Sequence, residues 1–81
     1  MDLGVFELNN YWVVHKFSND KASVSRDVTS LNKKSLSAEI EQTKDGMFVV
    51  SLGHFSTMKE VNAVIHKAID EGYWAEIYKG E

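Results

Sequence analysis

The chain has 81 residues, 43% hydrophobic and 26% charged, with a formal net charge of −3 and a pI near 5.5. A chain of that length makes one domain, which buries roughly 60% of the surface its unfolded form exposes, and the composition is that of a folding globular chain. The acidic balance argues against a partner held by phosphate neutralisation, so nucleic acid is not expected, and with no cysteine there is no disulfide, thiolate nucleophile or sulfur-ligated zinc. No apolar run approaches the ~20 residues of a membrane span, and residues 1–20 lack the layout of a signal peptide. No membrane insertion by this segment is expected, any export is directed by sequence outside it, and the chain reads as a piece of something longer.

Residues 1–10, MDLGVFELNN, read as a linker or a strand extension, with Val5 and Phe6 able to fold over a neighbouring face. The run Tyr11-Trp12-Val13-Val14-His15-Lys16-Phe17 is aromatic and β-branched and ends in the turn pair Ser18-Asn19, so it predicts a first strand. Apolar residues at Val24, Val28 and Leu31 follow at helical spacing, with Asn19 or Asp20 placed to cap a helix that ends near Lys34.

Ser37 to Gln42 alternates, Asp45-Gly46 is a turn signal, and Met47 to Leu52 is again β-rich, which predicts a hairpin. Thr57 and Glu60 fit a capping box. Val61, Val64, Ile65, Ala68 and Ile69 then line a second helix up to Gly72, and Trp74 to Tyr78 forms a last strand.

The two halves repeat. Phe17-Ser18 before the first helix matches Phe55-Ser56 before the second, an offset of 38, and Ala38-Glu39-Ile40 matches Ala75-Glu76-Ile77, an offset of 37. Two βαβ units side by side bury what neither buries alone. The expected fold is α+β: a βαββαβ, ferredoxin-like or RNP-like four-stranded antiparallel sheet with both helices on one face and the first and third strands central. Alternation then assigns Trp12, Val14, Ala38, Ile40, Phe48, Val50, Leu52, Ala75 and Ile77 to the helix side. It leaves Tyr11, Val13, His15, Ser37, Glu39, Glu41, Met47, Val49, Ser51, Trp74, Glu76 and Tyr78 on the open face, whose rings and aliphatic groups form an interaction patch.

The order of elements, with the residues at the helix starts, resembles the SPOR (sporulation-related repeat) domain, a bacterial module that binds peptidoglycan. The resemblance covers Tyr11 to Lys79 and rests on YWVVHKFSN and MFVVSLGHFST, above all on Gly53, Phe55, Ser56 and Thr57 running into a capped helix. It implies a non-catalytic domain over residues 11–81 that holds glycan strands stripped of stem peptides and targets an attached protein to the cell wall or division site. It also implies a place in the bacterial cell envelope, within a longer exported or membrane-anchored protein. The family's Gln, Ser, Arg and aromatic fall on Val13, Lys16, Val49 and Met47, and its Gly on His15, so none of its polar binding residues is kept. The expected ligand-binding set is Tyr11, Val13, His15, Lys16, Met47, Val49, Ser51, Trp74 and Tyr78, with stacking and hydrogen bonds replacing the missing groups and Lys16 meeting an acidic group on the polymer.

No catalytic constellation is found: no Ser or Thr sits in a nucleophile elbow, and no cofactor is expected. His15, His54 and His66 are too scattered for a metal site and read as solvated or capping residues. Glu39, Glu41 and Glu76 read as protection of sheet edges, and Lys33-Lys34 as charge at a helix C-terminus. Two other readings share the fold: a protein-protein or homodimerisation module that has lost glycan binding, and a small-ligand regulatory domain. The RNA-binding version lacks the basic and aromatic pattern on its third strand.

Overall fold

The computed structural model of the chain describes residues 11–79; the expectation for residues 1–10, including any cover they give the sheet, lies outside the described residues. The elements are β1 (Tyr11–Ser18), α1 (Lys21–Lys33), β2 (Glu39–Gln42), β3 (Phe48–Phe55), α2 (Met58–Asp70) and β4 (Glu76–Lys79). The sheet is antiparallel in the order β2-β3-β1-β4, which puts β1 and β3 in the centre and β2 and β4 at the edges. The fold is the α+β, ferredoxin-like arrangement.

Each helix starts where a side chain meets the unpaired N–H groups of its first turn. Asp20 Oδ1 accepts from Ala22 and Ser23, and Thr57 Oγ1 accepts from Glu60; such a cap is worth about 1 kcal/mol. Both helices stop alike. Leu36 N–H returns to Leu31 O and Tyr73 N–H to Ala68 O, around a left-handed residue that is Ser35 in one case and Gly72 in the other.

Val24 and Leu31 of α1, and Val61 and Ala68 of α2, are buried in one cluster with Val13 of β1, Val50 and Leu52 of β3, and Leu36 and Ala38. Tyr11, Phe48, Phe55, Tyr73 and Ala75 pack against it. Residues of both helices meet the same sheet face in that cluster, so the other face carries no helix of the described chain. Burying each of these Val and Leu side chains contributes about 2 kcal/mol.

Every element recurs 37 residues later: Tyr11 and Phe48, Lys21 and Met58, and Glu39 and Glu76 open matching elements of equal length. The caps Asp20 and Thr57 keep the same offset. The apparent 38-residue match of Phe17 with Phe55 is therefore one residue out of structural register, and a slip of one inverts the face of a strand.

That inversion is what β1 displays. Tyr11 and Val13, expected on the open face, belong to the core side, whereas Trp12 and Val14, expected inside, belong to the open face. The segment from Tyr11 to Val14 is apolar in both phases, so its alternation carries no sign. The indole goes outward because its N–H requires a partner, which Ser51 supplies on that side, while Val13 suits the small-residue core under the helices.

Both central strands are bulged. The β1–β3 register skips Leu52 between Val13↔Gly53 and Val14↔Ser51, and skips His15 between Val14↔Ser51 and Lys16↔Val50. Past its bulge, β1 sends Lys16 to the helix side and Phe17 to the open face, opposite Val49. Gly53 sits in the left-handed region at φ +123°, and a Cβ there would lie 2.8 Å from Phe55 Cζ, so glycine lets the Phe55 ring turn under the bulge into the core.

Candidate functional site

The face without helices carries a strip of side chains that crosses the sheet. Trp12 is its centre. Its indole N–H donates to Ser51 Oγ at 2.9 Å, and Gly53 N–H, turned by the bulge, donates to the same oxygen at 3.2 Å. The His54 ring lies parallel to the indole, 6° between planes and 5.4 Å between centroids. Phe17 meets Trp12 edge-on at 6.2 Å, Tyr78 lies tilted at 6.2 Å, and Phe17 and Tyr78 meet edge-on at 5.6 Å. Such pairs are the offset and edge arrangements that aromatic quadrupoles favour.

Carboxylates finish the strip at both sheet edges. Glu41 of β2 pairs with His54 at 2.9 Å, and Glu76 of β4 accepts from the Tyr78 hydroxyl at 2.7 Å. The Tyr78 pKa is raised because its hydroxyl donates to Glu76, with burial and the neighbouring negative charge adding to the effect. Beside His54, between β2 and β3, runs a groove of about 240 Å³ lined in part by Ser37, Glu39, Glu41 and Ser51.

The expected site residues separate. Val49, Ser51 and Tyr78 lie on the open face, but Val49 and Ser51 are 0% and 1% exposed while Tyr78 is 40% exposed. Tyr11 and Val13 serve the core. His15, expected to look outward as a solvated residue, is buried in its bulge: Nδ1–H donates to Trp74 O at 2.8 Å, and the ring packs against Tyr73 and Trp74. His54 also departs from the solvated reading, being held by Glu41 and Trp12.

Lys16, expected to meet a polymer carboxylate, has its ammonium 2.7 Å from Asp27 and donates to Ser23, both on α1. The bulge at His15 turns it there. Met47 precedes β3 and its N–H closes the hairpin on Thr43 Oγ1. Trp74 precedes β4, exposed and beside His15.

Reading the sequence missed Trp12, Phe17 and His54 as members of the site. Aligning the two halves on their helix caps, Asp20 with Thr57, rather than on Phe17 and Phe55, would have set β1 in its true phase and brought all three outward.

What the strip offers a ligand follows from exposure. Trp12 is half-buried, with its N–H used and one neighbour stacked on it, so it is a floor. Phe17, His54 and Tyr78 are the exposed rings, able to stack on the apolar faces of a flat or cyclic partner, and the carboxylates accept from hydroxyl or amide donors.

The fold and the strip together define a small βαββαβ module with a ring-bearing sheet face. No family model matches the chain, and no curated protein matches it. Among solved structures the chain is similar to the peptidoglycan binding domain of the B. subtilis cell wall lytic enzyme CwlC, solved in solution. The two share 21% identity over 89% of this chain and 90% of that one, with a TM-score of 0.77. At that identity the likeness shows the fold.

Proposed function

We propose that this chain is a non-catalytic module that binds the glycan strands of peptidoglycan, with residues 11–81 as the binding domain. It holds an attached protein at the bacterial cell wall or division site. The observation that carries this reading is the presentation of Phe17, His54 and Tyr78 on a helix-free sheet face over an indole fixed by Ser51. Sugars are bound by rings that stack on their apolar faces and by polar groups that fix their hydroxyls, and this strip supplies both. The fold likeness to a peptidoglycan binding domain and the resemblance to SPOR sequences support the same partner. The polar family residues are replaced by Val13, Lys16, Val49 and Met47, so contact rests on the strip instead.

Pelleting with purified sacculi, intact and after amidase removal of stem peptides, tests the proposal. Co-sedimentation that is stronger with the stripped material is the expected result. Concentration-dependent self-association in light scattering, with no sedimentation on either material, would replace it with a homodimerisation module.

A further inference from the structure

The 37-residue repeat builds the open face twice, and the two copies are not closed in the same way. On the β4 side, Glu76 faces Val14, and Tyr78 donates its hydroxyl to the Glu76 carboxylate. On the β2 side, the equivalents are Glu39 facing Ser51, with Glu41 where Tyr78 would stand. There Glu41 turns to His54. Among the described residues nothing donates to Glu39, and the groove holds this second carboxylate open.

Ser51 supplies an independent observation. Its residue is 1% exposed, and its oxygen already accepts twice, from the indole N–H of Trp12 and the backbone N–H of Gly53. A hydroxyl has two lone pairs and one hydrogen. With both lone pairs engaged, the hydrogen has to be donated, and among the described residues no acceptor receives it. A buried donor without an acceptor is costly, and Ser51 lines the groove, so the missing acceptor belongs to whatever fills it.

Resting on the glycan reading above, we infer that the groove between β2 and β3 takes a hexosamine whose nitrogen is a free ammonium rather than an acetamide. The ammonium meets the Glu39 carboxylate and the outer oxygen of Glu41, and the adjacent sugar hydroxyl oxygen accepts from Ser51. Neither Lys nor Arg lines the groove, so its field favours a cation. A simple alkylammonium satisfies the carboxylates but leaves the Ser51 hydrogen unused, which is why the geometry selects an amino sugar.

The test compares a short chitosan oligomer with the N-acetylated chitin oligomer of equal length by calorimetry, at mildly acidic pH where the sugar amines are charged. The wild-type chain and Glu39→Gln are both measured, with lysine amide as a competitor; Glu39 is exposed on an edge strand and its replacement leaves the fold intact. The expected result is about tenfold tighter binding of chitosan, lost in Glu39→Gln, as one charge-assisted hydrogen bond allows. Equal affinities, a preference that survives Glu39→Gln, or lysine amide competing as well as chitosan overturns the inference. Sacculi that pellet with a chain that binds neither oligomer overturn it while leaving the glycan reading standing. A chitosan preference without sacculus binding does the reverse.

Discussion

Trp12 and Ser51 are joined by an indole N–H to hydroxyl hydrogen bond of 2.9 Å between the two central strands, and the same hydroxyl oxygen receives Gly53 N–H. One small side chain thus orients the largest ring of the open face and ties down the bulge on β3. Ser51→Ala leaves both donors without a partner and is expected to destabilise the fold by about 2 kcal/mol in urea unfolding. Trp12→Phe removes one donor and keeps Ser51 bonded to Gly53. In the double variant the two costs are expected to fall short of their sum by about 1 kcal/mol, the signature of a direct contact.

Gly53 and Gly72 both lie in the left-handed region, at φ +123° and +89°, but only Gly53 is crowded. Gly72→Ala meets nothing within 4 Å, so its cost is the backbone conformation alone, about 1 kcal/mol. Gly53→Ala also puts its Cβ 2.8 Å from Phe55 Cζ. Thermal unfolding is expected to show a clearly larger loss at Gly53, about 2 kcal/mol or more, and equal losses would show that the Phe55 ring yields freely.

Neighbouring residues of β1 are expected to report on different properties. Val13→Ala, under the helices, costs about 2 kcal/mol of stability and leaves sacculus binding by the folded fraction unchanged. Phe17→Ala and Tyr78→Ala weaken binding about tenfold by pelleting, as loss of a stacking ring allows, with little effect on the midpoint of unfolding. Binding lost in Val13→Ala and kept in Phe17→Ala would reverse the assignment of faces.

Lys16 is spent inside the domain. Lys16→Met removes its contact with Asp27 and is expected to lower stability by about 1 kcal/mol, the scale of a well-formed but partly solvated ion pair. Sacculus affinity stays as it was. A binding loss that grows at low ionic strength would instead mark Lys16 as a contact to the polymer.

Tyr78 gives a spectroscopic handle on the strip. Its hydroxyl donates to Glu76, and this contact raises its pKa above the ordinary value. The neutral phenol is the form that the fold favours, so the stabilisation is complete below the unfolded pKa of about 10 and disappears as pH climbs through the higher folded value. Ultraviolet titration of tyrosinate is expected to show one late-titrating group that moves down in Glu76→Gln, and up in none of the variants above.

From the residues alone come the element types and their order, the capping by Asp20 and Thr57, the inward stripes of both helices and, through the handedness of two βαβ units, the sheet with β1 and β3 central. These are local or short-range properties: a cap acts within one turn, and a stripe at helical spacing has a single apolar side. The faces of β2, β3 and β4 were equally legible, because Glu39, Glu41, Ser51 and Glu76 give their alternation a sign.

The face of β1 was decided in three dimensions. Tyr11, Trp12, Val13 and Val14 are apolar in either phase, so packing made the choice: Val13 fits a thin core, and the Trp12 N–H finds Ser51. The bulge at His15 then changes the parity of the strand, turning Lys16 to Asp27 and Phe17 to Tyr78. A two-residue period cannot be read through an inserted residue, and so the exposed rings of the candidate site emerged only with the paired strands.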